Sequence, residues 1–214
     1  MTRRSSSRPV DEALLEVARA APGFMPDNEG RALHQAGLDG GRLGPLLEIG
    51  SYCGKSAVYL GAAARARGTV LYSIDHHRGN EENQPGEGYH DERFVDEHGR
   101  VDTLPEFRRT IESAALGDVV VGIVGISAVV AGAWSTPLGL VFIDGGHSQA
   151  AADADYEGWA PHVAPGGLLA IHDVFPDPAD GGRPPYEIYR RALASGDFDE
   201  VAATGSLRVL RLAR

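Results

Sequence analysis

The chain has 214 residues, 43% of them hydrophobic, and a formal net charge of −10. This length and apolar content suffice for one domain with a full core, while the acidic balance argues against nucleic acid, whose phosphates call for clustered Lys and Arg. A single cysteine, Cys53, excludes a disulfide framework or a thiolate zinc site, so any metal would be held by oxygen or imidazole ligands.

From the start, Met1–Arg8 is basic and Ser-rich without the apolar stretch of a secretory signal, and no run of 18 apolar residues follows. A cytoplasmic protein with no membrane partner is expected. Leu and Ala at helical spacing predict helices over 11–20 and 28–38, within an N-terminal helical segment 1–43. Leu46–Gly50 reads as a strand, Gly54–Arg67 as a helix, and Thr69–Ile74 as a strand ending at Asp75. The segment from His76 to Val101 is long, polar and rich in Gly and Pro. It reads either as a solvated, mobile insertion or as a lid or acceptor loop over 76–102.

Beyond it, Thr103–Ala115 is a predicted helix, Val119–Val124 a third strand and Leu140–Ile143 a fourth ending at Asp144. Ser148–Trp159 is helical, and the turn Ala164–Gly167 leads into a fifth strand, Leu168–Ile171, ending at His172-Asp173. Pro184–Ser195 should be a helix. Phe198–Ala202 and Leu207–Leu212, either side of Gly205, finish the sheet. Strands alternating with helices predict an α/β, Rossmann-like, doubly wound and mainly parallel seven-stranded sheet with helices on both faces, in a single domain spanning 1–214. Ligands in such sheets bind beyond the carboxyl ends of the strands, where Asp75, Asp144 and His172-Asp173 fall. A buried carboxylate is costly unless something pairs with it, so core packing alone does not account for the coincidence.

The turn Leu47-Glu48-Ile49-Gly50-Ser51-Tyr52-Cys53-Gly54-Lys55-Ser56 carries the cofactor question. Gly54-Lys55-Ser56 suggests a phosphate loop, but that loop needs a glycine where Ile49 stands. A dinucleotide fingerprint fails too, because its second and third glycines fall on Tyr52 and Lys55. A methyl-donor turn remains. Gly50 and Ser51 let the backbone pass close to the methionine part, Ser56 bonds at the helix start, and Asp75 lies at the spacing from which an acid takes ribose hydroxyls. Lys55 is then incidental. Ser127, in Gly125-Ile126-Ser127, either lines the adenine or caps a helix.

Three segments together resemble class I S-adenosylmethionine-dependent methyltransferases: Glu48-Ile49-Gly50-Ser51-x-x-Gly54-x-Ser56, Phe142–Ser148, and Trp159-Ala160-Pro161 continuing through Pro165-Gly166-Gly167 to His172-Asp173. The likeness covers roughly residues 44–175. It is closer to the branch that includes macrocin O-methyltransferases and cephalosporin-hydroxylase-like proteins. Asp75–Gly79, Glu81–Gln84 and Asp102–Thr110 are similar to actinobacterial methyltransferases that cap methylmannose polysaccharides at the sugar 1-hydroxyl.

The resemblance implies S-adenosyl-L-methionine held by Glu48, Gly50, Ser51, Ser56, Asp75, Ser127 and Asp144. It also implies a divalent metal, usually Mg2+, on Asp144, His172 and Asp173. His172 stands where relatives often carry an acid, and imidazole is a poorer magnesium ligand than a carboxylate. That leaves His172 open to serve as base. The branch's base, two residues after the metal-binding Asp, is Gly146 here, which passes the work to His147. The expected acceptor is a small carbohydrate or glycoside met by His76, His77 and Tyr89. A homodimer is expected, with the long loop and helical start reaching across a neighbour.

Each of these residues also has a plainer reading: His147 as a turn residue before the next helix, His76 and His77 as polar surface, and Tyr89 and Phe94 as anchors of the loop to the core. Arg183-Pro184-Pro185-Tyr186 is adequately explained by proline in a first helical turn.

Overall fold

Seven strands form one sheet in the order β3-β2-β1-β4-β5-β7-β6. In the computed structural model, which describes residues 10–180 and 183–213, they are β1 (Leu46–Ile49), β2 (Leu71–Asp75), β3 (Val120–Val124), β4 (Leu138–Ile143), β5 (Val163–Ile171), β6 (Phe198–Thr204) and β7 (Leu207–Leu212). The basic start Met1–Arg8 lies outside the described residues. β1 to β5 pair in parallel, and β7 alone runs antiparallel to both its neighbours. The predicted doubly wound, mainly parallel sheet is therefore the observed one.

Among the described residues seven α-helices cover it: α1 (Glu12–Ala20), α2 (Asp27–Gly40), α3 (Lys55–Arg67), α4 (Leu104–Ser113), α5 (Ser127–Ala131), α6 (Gln149–Trp159) and α7 (Pro184–Ala194). The strands read as continuous apolar runs because both faces are buried. On β4, Leu140 and Phe142 join the core beneath α1 to α4, while Val141 and Ile143 join the core beneath α5 to α7. α3 is buried along most of its length because α1 and α2 pack over it as a second layer. Among the described residues no helix is long and apolar enough to cross a membrane.

Two elements differ from expectation. β5 starts at Val163, and Ala164–Gly167 forms an irregularity within it, since Leu138 pairs with Val163 but Leu140 pairs with Leu168. α5 is the helix that the reading of Ser127 as a cap allowed, displaced by one residue. Ile126, not Ser127, is its N-cap residue, and the Ser127 hydroxyl instead accepts a 2.7 Å hydrogen bond from the Trp159 indole.

Residues 76–102 are held by their own bonds. Asn80 and Asn83 form a capping box, Gln84 donates to the carbonyls of Arg78 and Asn80, and Arg78 pairs with Asp96 and Asp102. Phe94 and Val101 are buried as anchors.

Candidate active site

The carboxyl ends of β1, β2, β4 and β5 open into one cavity of about 820 Å³. Its inner wall comes from the strand ends. Its outer wall comes from Phe24-Met25, ahead of α2, and from Asn80–Gln84 in the long loop.

At the end of β1 the backbone must turn past β4. Gly50 does so at φ +84°, and a Cβ there would collide with the Asp144 carbonyl oxygen, so no other residue fits this turn. Tyr52 follows at φ +45° and donates its N–H to Asp75 Oδ2 at 2.8 Å, while the His77 N–H donates to Oδ1 at 2.7 Å. Two amides thus aim the Asp75 carboxylate and leave each oxygen a lone pair for a hydroxyl. Ser51 and Ser56 line the cavity, and the buried Ser51 hydroxyl has no partner within the protein. α3 starts here without a side-chain cap, so its N-terminal dipole and leading N–H groups face this end.

Glu48, expected among the donor contacts, is instead fully buried behind this wall. Its Oε1 accepts from Ser73 at 2.5 Å and its Oε2 has no partner. Burial, opposed by the Ser73 bond, pushes its pKa up to about 7. The Gly125–Ala128 stretch forms the next side of the cavity, facing Asp155 of α6. Burial pushes that carboxyl up to about 6.

Asp144, His172 and Asp173 meet across the β4 and β5 ends. His172 Nδ1 lies 3.0 Å from Asp144 Oδ1 and 3.4 Å from Asp173 Oδ1, and Nε2 lies 2.6 Å from Oε2 of Glu29, a residue of α2. Burial opposes charge on His172, but Asp144, then Asp173 and Glu29, outweigh it and push the pKa up to about 12. Burial likewise opposes charge on Asp173, yet the bonds from His147 and His172 hold it well below the usual carboxylate range. Asp173 takes φ +54°, so three of the four non-glycine positive-φ residues among those described, Tyr52, His77 and Asp173, border this site.

His147 bridges the inner site to the loop, with Nε2 3.1 Å from Asp173 Oδ2 and Nδ1 3.3 Å from Glu82 Oε2. The Asp173 bond, working against burial, raises its pKa.

The expected acceptor residues separate. His76 lines the cavity, and Tyr89 stands at its mouth edge-on to Phe24, with ring centroids 5.1 Å apart. His77 is buried away from the cavity, with Nδ1 2.9 Å from the Thr103 hydroxyl and its ring against Phe107. Burial lowers its pKa. The residue that faces the cavity is His76.

A methyltransferase domain family matches residues 47–174, from β1 to just past Asp173. The chain belongs to that family. Solved O-methyltransferases share the fold of this methyltransferase at low identity. One from Bacillus cereus, in complex with SAH, is 18% identical with a TM-score of 0.65, over 96% of this chain and 92% of that one. NovP is 16% identical with a TM-score of 0.68, over 95% and 96%. TomG from Streptomyces achromogenes, in complex with SAM and involved in tomaymycin synthesis, is 16% identical with a TM-score of 0.64, over 95% and 91%.

The methyltransferase has a donor set that fits a divalent cation. One atom each from Asp144, His172 and Asp173 lie within 4.8 Å of one another. With Nε2 engaged by Glu29, His172 turns Nδ1 toward both carboxylates, the arrangement in which a ligating histidine is oriented by an outer carboxylate. Reading the sequence assigned no role to Glu29, Glu82, Asp155 or Phe24, and of these only Glu82 stands in a segment, Glu81–Gln84, that the resemblance picks out.

Proposed function

We propose that the protein is an S-adenosyl-L-methionine-dependent O-methyltransferase acting on a sugar hydroxyl, with a divalent cation on Asp144, His172 and Asp173 and with His147 as general base. The observation that carries this reading is the position of His147. It stands at the cavity wall between Asp173 and the loop carboxylate of Glu82, on the same edge of the sheet as the Gly50 turn.

When bound, the donor supplies a sulfonium methyl group and the cation supplies positive charge beside the acceptor oxygen. Asp75, aimed by its two amide bonds, takes the ribose hydroxyls, and the uncapped start of α3 with Ser51 and Ser56 receives the donor's carboxylate. Ile126 and Ser127 flank the adenine. A neutral His147 that donates Nε2–H to Asp173 keeps its lone pair on Nδ1, on the side of the loop, and that nitrogen takes the acceptor's proton. In that transfer the methyl group would pass from sulfur to the acceptor oxygen, sulfur keeping the electron pair of the broken bond, while the acceptor's proton would go to His147. Asp173 then stabilises the imidazolium. His172 is less suited to that role because its side chain is almost wholly buried and its Nε2 is held by Glu29, whereas the His147 side chain is about a quarter exposed.

A second reading keeps this chemistry and changes the acceptor to a phenol or macrolide. The Phe24–Tyr89 pair at the cavity mouth suits a flat ring as well as a sugar face. A labelled methyl-donor assay over mannosides and phenols, with and without EDTA, separates the two. Donor binding without transfer to any saccharide would sink the leading reading.

A further inference from the structure

Glu29 is the residue whose contacts are unexplained by packing. It lies on α2, buried, with three hydrogen bonds to two residues from distant parts of the chain. Oε1 accepts the Ser206 N–H at 2.9 Å, and Oε2 accepts the Ser206 hydroxyl at 3.0 Å and the His172 Nε2–H at 2.6 Å. Ser206 sits in the β6–β7 turn. Its neighbour Gly205, at φ +55°, leaves room for the carboxylate, because a Cβ at 205 would collide with Oε1. A buried acid with every bond satisfied is costly to assemble and is specific in what it orients.

What it orients is a tautomer. With the Glu29 carboxylate holding Nε2–H, the nitrogen that a cation would take is Nδ1, which faces Asp144 and Asp173, on displacing the proton it shares with Asp144. Ligating histidines are held in this way, and an imidazole beside two carboxylates suits first-row transition cations better than magnesium or calcium, which favour oxygen alone.

We infer that Glu29 is a positioning residue that commits His172 Nδ1 to the cation, and that the site therefore selects a transition cation such as Mn2+ over Mg2+. The inference rests on the divalent-cation reading proposed above, and the following experiment separates the two.

The full chain, stripped with EDTA, is titrated with Mn2+ and with Mg2+ by calorimetry, and with Mn2+ by electron paramagnetic resonance. Wild type should bind Mn2+ at least tenfold more tightly than Mg2+. Glu29→Gln should lose about 10- to 100-fold in Mn2+ affinity, and Glu29→Asp should recover part of it. In the Zn2+-loaded wild type, long-range proton–nitrogen correlation should place the cation on Nδ1 and the hydrogen on Nε2 of His172, a readout that needs no variant to fold. Wild type that binds neither cation overturns the divalent-cation reading itself. Wild type that binds Mn2+ and Mg2+ equally, that ligates through Nε2, or whose Mn2+ affinity survives Glu29→Gln overturns the role of Glu29.

Discussion

Replacing Glu48 by Gln should change how stability depends on pH. Glu48 is fully buried in the central strand, and its pKa rises from the ordinary 4.5 to about 7, chiefly through burial, with the charges of Asp144 and Asp75 adding to it. Below pH 4.5 the folded and unfolded chains both hold this proton. Between 4.5 and 7 the unfolded chain releases it while the folded one keeps it, so the unfolded state binds fewer protons and stability falls as pH rises. A shift of 2.5, the difference of 7 and 4.5, corresponds to about 3 kcal/mol of stability lost by pH 7 and above. A glutamine amide does not titrate and is free of this loss. Urea unfolding of metal-free wild type and Glu48→Gln at four pH values from 4.5 to 7.5 measures it as a difference, in which the titrations of Glu29, Asp155 and Asp173 cancel. The stability of the Gln variant relative to wild type should grow by about 3 kcal/mol across that range. A difference that stays constant within about 0.5 kcal/mol would mean that Glu48 is ionised in the fold, and would refute the burial argument.

Gly50→Ala should abolish measurable SAH binding by calorimetry, because its Cβ collides with the Asp144 carbonyl in a turn already at positive φ; retention within tenfold would mean that the turn can yield. His147→Ala should lower kcat by about 10²- to 10⁴-fold with donor affinity unchanged, and an unaffected rate would remove it as base. The base works unprotonated and Asp173 holds its proton, so kcat/KM in wild type should rise with pH through a midpoint above 6.5. Tyr89→Ala should raise the acceptor KM by roughly three- to tenfold with little change in kcat, since it removes one aromatic face at the mouth; an unchanged KM would make Tyr89 an anchor of the loop.

The strands were legible because a parallel sheet buried on both faces leaves continuous apolar runs, and because its connections are long enough for each run to stand apart. The same topology made the acids legible: parallel strands all end at one edge, so Asp75, Asp144 and Asp173 had to converge once the strands were placed. The extent of α5 was not legible because five residues carry too little periodicity, and Ser127, one reading of which is a cap, instead accepts the Trp159 indole N–H on its hydroxyl. His76 and His77 were indistinguishable as neighbours in a loop. What separates them is the φ of +57° at His77, which turns its ring under the loop toward Thr103 and Phe107.

Glu29 marks the limit of reading along the chain. In sequence it is an acid in the first turn of a helix, where the dipole alone would explain it. Its partners lie 143 and 177 residues further on, and no local pattern encodes a contact at that distance. The departure that pointed toward it was visible all the same: a histidine at a position where an acid is usual. A histidine in place of an acid removes a negative charge from the donor set and adds a second nitrogen that must bond to something, and in a buried site that partner has to be built. Glu29, carried in by α2 and fixed by Ser206, is that partner. A change of ligand type at a cation site therefore implies a second change outside it, and the two are best sought together.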